Sequence, residues 1–213
     1  MKMKAIIYDL DGVIVSTDEF HFQAWKRLAE EEGIPFDRER NNLLRGISRM
    51  DSLAIILEKS PRVYSPQEKE ALAERKNTYY LEQVKTLTSK DILPGFLESF
   101  AEIKIHGYKT AIASSSKNAK IILELVHLDH YFDAVIDGKM IAHSKPDPEV
   151  FLLAAKALHR KPSECYVIDD AKAGIEAAVR GGFVPLGIGD SSSDPRAKAH
   201  LSSLYDLIPL LVD

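Results

Sequence analysis

The chain has 213 residues, 45% of them hydrophobic and 28% charged, with a formal net charge of −4. That length suits one substantial core, or a core plus a smaller inserted domain, and the charge lacks the basic footprint of a nucleic-acid binder. The single cysteine, Cys165, excludes an internal disulfide and fits a reducing cytoplasm. No apolar run nears the roughly 20 residues that cross a bilayer, and the apolar stretch before Asp9 is too short for a secretion signal. The expectation is a cytoplasmic protein.

In chain order, "KAIIY" at 4–8 reads as a short strand, apolar on both faces as central parallel strands are. From about residue 18 the period turns helical, through Phe20, Ala24, Trp25 and Leu28, and Gly33 ends the run. A second helix is expected from Arg49 to about Lys59. "SPQE" at 65–68 then supplies an N-cap serine, a proline at the first helical position and a capping-box glutamate for a helix reaching the mid-80s. Residues 16–88 carry no strand signal.

After that, strands and helices alternate. A helix follows the Pro94–Gly95 turn, then come the strand "YKTAIASSS", the helix "KNAKIILELVHL" and the short strand "FDAVIDG". "PDPEVFLLAAKALH" reads as a helix with Asp147 as cap and Pro148 at its first position; "CYVIDD" is a strand, "AKAGIEAAVRGG" a helix, "FVPLGIG" a strand, and "SLYDLIPLL" a closing helix. "GDSSSDPRAKAH" at 189–200 reads as a polar loop. The pattern predicts an α/β fold: a doubly wound parallel-sheet (Rossmann-like) core at 1–15 and 89–213, with an inserted helical cap domain at 16–88.

Ligands of such sheets bind at the carboxyl ends of the strands, and there the informative residues fall. Asp9 and Asp11 follow the first strand, Ser114 to Asn118 follow "TAIA", Lys145 precedes a helix, and Asp169 and Asp170 end "YVI". Asp9, Asp169 and Asp170 would repel one another unless a hard cation sat among them, and oxygen-only ligation beside a phosphate points to Mg²⁺. Ser114, with the backbone N–H groups of Ser115 and Ser116, would cradle an anion, and Lys145 would supply fixed positive charge. A carboxylate nucleophile, an acid/base two residues on and a metal together describe phosphoryl transfer through an aspartyl phosphate. His106, His127, His130, His143, His159 and His200 show no metal-ligand spacing.

"DLDGV", the serine strand end, "SKPDP" and "IDDAKAG", in that order, resemble the four motifs of the haloacid dehalogenase superfamily across the whole chain. "STDEFHFQAWKRLAEEEGI", "LLRGISRMDSL", "ERKNTYY" and "IASSSKNAKIILE" are similar, within it, to the β-phosphoglucomutase family. The resemblance implies an isomerase that interconverts β-glucose 1-phosphate and glucose 6-phosphate through β-glucose 1,6-bisphosphate, with a sugar-phosphate phosphatase as the alternative. It makes Asp9 the phosphorylated nucleophile and Asp11 the general acid/base, whose carbonyl also ligates Mg²⁺. Asp169 and Asp170 complete the metal site, and Ser114 and Lys145 hold the transferring phosphoryl group. Arg49, Ser116 and Asn118 grip the other phosphate; Thr17, His21, Gly46, Ser52 and Lys76 belong to the hinge and sugar-binding cap, with Trp25 nearby. Two positions depart from the family pattern. Asp169 stands where glutamate is common, so it is expected to reach the metal through water. Ser115 replaces a frequent alanine and is expected to act through its backbone N–H. The resemblance also implies a monomer whose partners are small sugar phosphates, with neither nucleic acid nor membrane.

Overall fold

A computed structural model describes residues 3–211. Its centre is β1 (Ala5–Tyr8), whose four residues are all buried. Alternation along β1 sends Ala5 and Ile7 into one apolar cluster and Ile6 and Tyr8 into another, so both sheet faces need cover. The other strands are β2 (Lys109–Ala113), β3 (Ala134–Ile136), β4 (Cys165–Asp169), β5 (Val184–Ile188) and β6 (Ala199–Leu201), all parallel, in the order β3-β2-β1-β4-β5-β6. That order reverses beside β1, which places the crevice for a ligand between the ends of β1, β2 and β4.

Between β1 and β2 the chain is helical: α1 (Asp18–Glu31), α2 (Arg38–Asn42), α3 (Arg49–Leu57), α4 (Pro66–Val84) and, returning to the sheet, α5 (Phe96–Ile105). Trp25, Leu28, Leu53, Ile56, Tyr64 and Leu72 give α1, α3 and α4 their own apolar cluster. Ser65 and Glu68 close the expected capping box at the start of α4. Where the chain leaves and re-enters the core, Val15 bridges Ile92. The remaining helices are α6 (Ala119–Leu125), α7 (Glu149–Ala157), α8 (Lys172–Arg180) and α9 (Leu207–Leu211). Residues of α5 and α6 pack with Ile6 and Tyr8, and residues of α7 and α8 with Ala5 and Ile7. No described helix is long and apolar enough to cross a membrane.

Three expectations need correction. The "polar loop" at 189–200 contains a 3-10 turn and the edge strand β6, because Ser191 is turned inward: its Oγ donates to the Asp169 carbonyl at 2.5 Å and accepts from Ile188 N–H at 3.1 Å. The short helix α2 was not anticipated; Asp37 caps it by accepting from Arg40 N–H at 2.8 Å. Helix α7 begins one residue late, with Pro148 at the N-cap, although Asp147 still accepts Glu149 N–H at 3.0 Å.

Candidate active site

The strand ends bring a buried ion cluster together. Lys145 Nζ lies 2.6 Å from Asp9 Oδ1 and 2.8 Å from Asp169 Oδ2, with all three residues buried. Burial alone would lower the Lys145 pKa, but Asp169 and Asp9 outweigh it and hold the ammonium above its ordinary value. Burial pushes the Asp9 carboxyl up to about 7 against the pull of Lys145. Asp169 also accepts Ala171 N–H at 2.9 Å through its other oxygen, so it caps the turn into α8. Asp170 is raised well above the usual carboxylate range, first by burial and then by Asp169 and Asp9.

Asp9, Asp169 and Asp170 each offer a carboxylate oxygen within 4.8 Å of the others. Two glycines make room for them. A Cβ on Gly12, whose φ is +75°, would sit 2.2 Å from Asp170 Oδ2, and one on Gly174 would sit 1.9 Å from Asp169 Oδ2. Three crowded carboxylates with one ammonium, all oxygen donors, suit a hard divalent cation.

Asp11 is tied to the helical insertion rather than to Lys145. The Thr17 hydroxyl donates to its carboxylate, and Tyr80 of α4 donates in turn to Thr17 Oγ1 at 3.0 Å. Burial, opposed by the Thr17 bond, moves the Asp11 pKa up to about 6. His21 stacks on Tyr80 with ring centroids 4.1 Å apart, and its Nδ1 lies 2.7 Å from Lys76 Nζ. Lys76 is buried, 4.7 Å from both the Trp25 and Tyr80 ring centroids. Burial, then the charges of Lys76 and Arg49, push the His21 pKa well down, and burial lowers that of Lys76 as well, so the contact disfavours a proton on the imidazole.

Between the two groups lies a cavity of about 870 Å³. Asp9, Asp11, His21, Trp25, Gly46, Arg49, Ser52, Lys76, Ser114, Ser115, Ser116, Asn118 and Asp170 border it. Thr17, Lys145 and Asp169 do not border it and act from behind. Trp25 belongs equally to the apolar cluster of the insertion. The anion cradle differs from the expectation: Ser116 N–H already donates to Ser114 Oγ at 3.1 Å, and α6 starts only at Ala119. Ser115 contributes more than its backbone, because its hydroxyl donates to the Gly46 carbonyl at 3.2 Å and ties the core to the insertion.

Sequence reasoning missed several neighbours. Asn118 Nδ2 donates to Asn77 Oδ1 at 2.9 Å, Ser144 donates to Asp51 Oδ2 at 2.6 Å, and Arg45 pairs with both Asp18 and Asp190. All but the Arg45–Asp18 pair also cross between the insertion and the core, and only the adjacency of Asn77 to Lys76 hinted at any of them. Arg49 Nη1 donates to Glu74 Oε1 at 2.7 Å. His143 does meet carboxylates, those of Asp147 and Glu149, contrary to expectation; Glu149, however, accepts the backbone N–H groups of Ala142 and His143.

A doubly wound parallel sheet with strand-end aspartates, a lysine bridging two of them and a helical insertion over the crevice defines a class of α/β enzymes acting at a carboxylate centre. Residues 3–182 match the family model described as haloacid dehalogenase-like hydrolase. The chain belongs to the haloacid dehalogenase-like family. It is 44% identical over 189 residues to the β-phosphoglucomutase of Bacillus subtilis, covering 88% of this chain and 84% of that one. It is 31% identical to a phosphorylated carbohydrates phosphatase of Thermotoga maritima, over 92% of this chain and 89% of that one. Among solved structures, a β-phosphoglucomutase from Clostridium difficile superposes with a TM-score of 0.92 at 38% identity, covering 96% of this chain and 93% of the other.

Proposed function

We propose that the protein is a Mg²⁺-dependent β-phosphoglucomutase, interconverting β-D-glucose 1-phosphate and D-glucose 6-phosphate through an aspartyl phosphate on Asp9 and β-glucose 1,6-bisphosphate. One observation favours this over a plain phosphatase: the Tyr80–Thr17–Asp11 chain, which ties the acid/base to a helix of the insertion. Asp11 is then placed only when the insertion is closed, which keeps water from serving as the acceptor. The relatives named β-phosphoglucomutase support the same reading.

In this reading Lys145 holds Asp9 Oδ1 and leaves Oδ2 to attack phosphorus. From the bisphosphate, an O–P bond forms at Asp9 and the bond to the C1 oxygen breaks, while Asp11 gives that oxygen its proton and glucose 6-phosphate leaves. In the second half Asp11 takes a proton from the C6 hydroxyl of β-glucose 1-phosphate, which attacks the aspartyl phosphate, breaks its bond to Asp9 and regenerates the bisphosphate. A carboxyl group near pKa 6 can serve in both directions at neutral pH. Asp9 and Asp170, with the carbonyl of Asp11, would hold Mg²⁺; Asp169, already engaged with Lys145 and Ala171, would reach it through water. The cation, when bound, screens the carboxylates and the phosphoryl oxygens. Ser114 steadies the transferring group, and Arg49, Ser116 and Asn118 hold the second phosphate. Gly46, Ser52, His21 and Lys76 surround the sugar, with Trp25 behind them.

The test is a coupled assay for glucose 6-phosphate with Mg²⁺, β-glucose 1-phosphate and a trace of β-glucose 1,6-bisphosphate, with free phosphate followed in parallel. Glucose 6-phosphate from the β-anomer, with little phosphate released, is the expected result. Phosphate release without isomer formation moves the protein to the phosphatase reading.

A further inference from the structure

Arg49 opens α3 and Glu74 lies midway along α4, both bordering the cavity. The Arg49 side chain is 15% exposed, that of Glu74 is 73% exposed, and their ion pair spans 2.7 Å. Among the described residues, Glu74 is the hydrogen-bond partner of this guanidinium. A nearly covered cation is thus held by a carboxylate free to swing into water. A guanidinium fork that accepts a phosphate in bidentate fashion cannot keep a carboxylate on the same donors, and the two anions repel.

We propose that Glu74 is a specificity-determining residue: it competes with the second phosphate of the substrate for Arg49, and takes the guanidinium back when that phosphate leaves. The inference rests on the assignment of Arg49 to that phosphate. It meets a need of the mutase cycle, because the bisphosphate must let go with one phosphate and return with the other. A covered Arg49 left bare at that moment would carry a desolvation cost. Glu74 supplies a replacement anion and so weakens the grip on the intermediate enough for it to turn.

Glu74→Gln removes the charge and keeps the shape. The concentration of β-glucose 1,6-bisphosphate that half-activates the enzyme falls about two- to fivefold, as expected for loss of a competing solvent-facing ion pair. The dissociation constant of glucose 6-phosphate, measured by calorimetry, falls by a similar factor. In an Arg49→Ala background the same substitution changes neither value. A rise in either constant overturns the proposal, because Glu74 would then only prop Arg49 in place. Equal tightening without Arg49 overturns it too, since the effect would be diffuse surface charge. Calorimetry needs no turnover, so the two readings separate. Tightening in a protein that forms no isomer keeps the role of Glu74 and removes the mutase; isomer formation without tightening does the reverse.

Discussion

The two walls of the cavity hold their charges in opposite ways. On the sheet side, Lys145, Asp9 and Asp169 are buried, and each ion has a partner from a different strand end or loop. On the helical side, Arg49 faces an exposed Glu74, and Arg45 faces Asp18 and an exposed Asp190. A buried ion must keep its partner, since losing it leaves a desolvated charge; an exposed partner exchanges with water at little cost. The sheet wall is therefore built to hold reacting atoms still, and the helical wall to let a charged ligand come and go.

The sharpest way to break this contrast is to remove one cation from each wall. Lys145→Met strands Asp9 and Asp169 together. Thermal unfolding should show a loss of about 3–5 kcal/mol, and turnover should fall about 10²–10³-fold in the steady state. Arg49→Ala should leave the melting temperature nearly unmoved, within about 0.5 kcal/mol. Its effect belongs in KM for the bisphosphate, which should rise about 10- to 100-fold with the loss of charge-assisted hydrogen bonds. If both variants lost stability equally, the two walls would not differ in kind.

The same contrast explains what the sequence made legible. Asp9, Ser114 and Asp169 stand at strand ends that apolar periodicity marks out, and Lys145 in the loop that runs from β3 to α7, so the topology brings them to one edge of the sheet. Helix α4 was readable from its capping box. By contrast, β6 offers three residues of which only Leu201 is buried, too short a run for a period of two to show. Glu74, Asn77, Arg45 and Asp190 carry no periodic signal either. Each is polar and partly or fully exposed, and its role depends on how the insertion lies over the sheet. Ser115 shows the limit most plainly: its backbone role follows from its place after β2, while its hydroxyl bond to Gly46 needs the closed arrangement.

A titration probes the junction between the walls. Folded His21 is kept neutral by burial and by Lys76 and Arg49, whereas in the unfolded chain it takes a proton near pH 6.5. Its folded pKa is depressed, so the stability tied to the neutral imidazole is complete above about pH 6.5 and is lost as pH falls below it. The slope is at most about 1.4 kcal/mol per pH unit for one proton. Asp9 and Asp11, raised to about 7 and about 6, act with the opposite sign, because the folded state binds their protons more tightly. The measurement is therefore a difference: denaturant midpoints from pH 7 to 5 for wild type against His21→Phe, which keeps a ring on Tyr80. Wild type should lose stability relative to the variant as pH drops. Parallel curves would mean that His21 takes up its proton as readily in the folded protein as in the unfolded chain, and a relative gain by wild type would mean that the fold holds it protonated.

The smallest effect lies inside the sheet wall. The Tyr8 hydroxyl is buried beside the nucleophile strand with no hydrogen-bond partner among the described residues, and its ring packs edge-on against Phe96 and Phe132. An unpaired buried hydroxyl costs free energy, while the ring contacts supply the packing. Tyr8→Phe deletes the first and keeps the second. It should raise stability by up to about 1 kcal/mol, a gain of about 2–4 °C in melting temperature for a chain of this size, with turnover unchanged because Tyr8 points to the face opposite Ile7. A loss of stability would place a buried water on that hydroxyl and make the wall wetter than its side chains suggest. The rigidity ascribed to the sheet side rests on the ion pairs of Lys145, and Tyr8 adds to that wall a buried hydroxyl with no partner among the described residues.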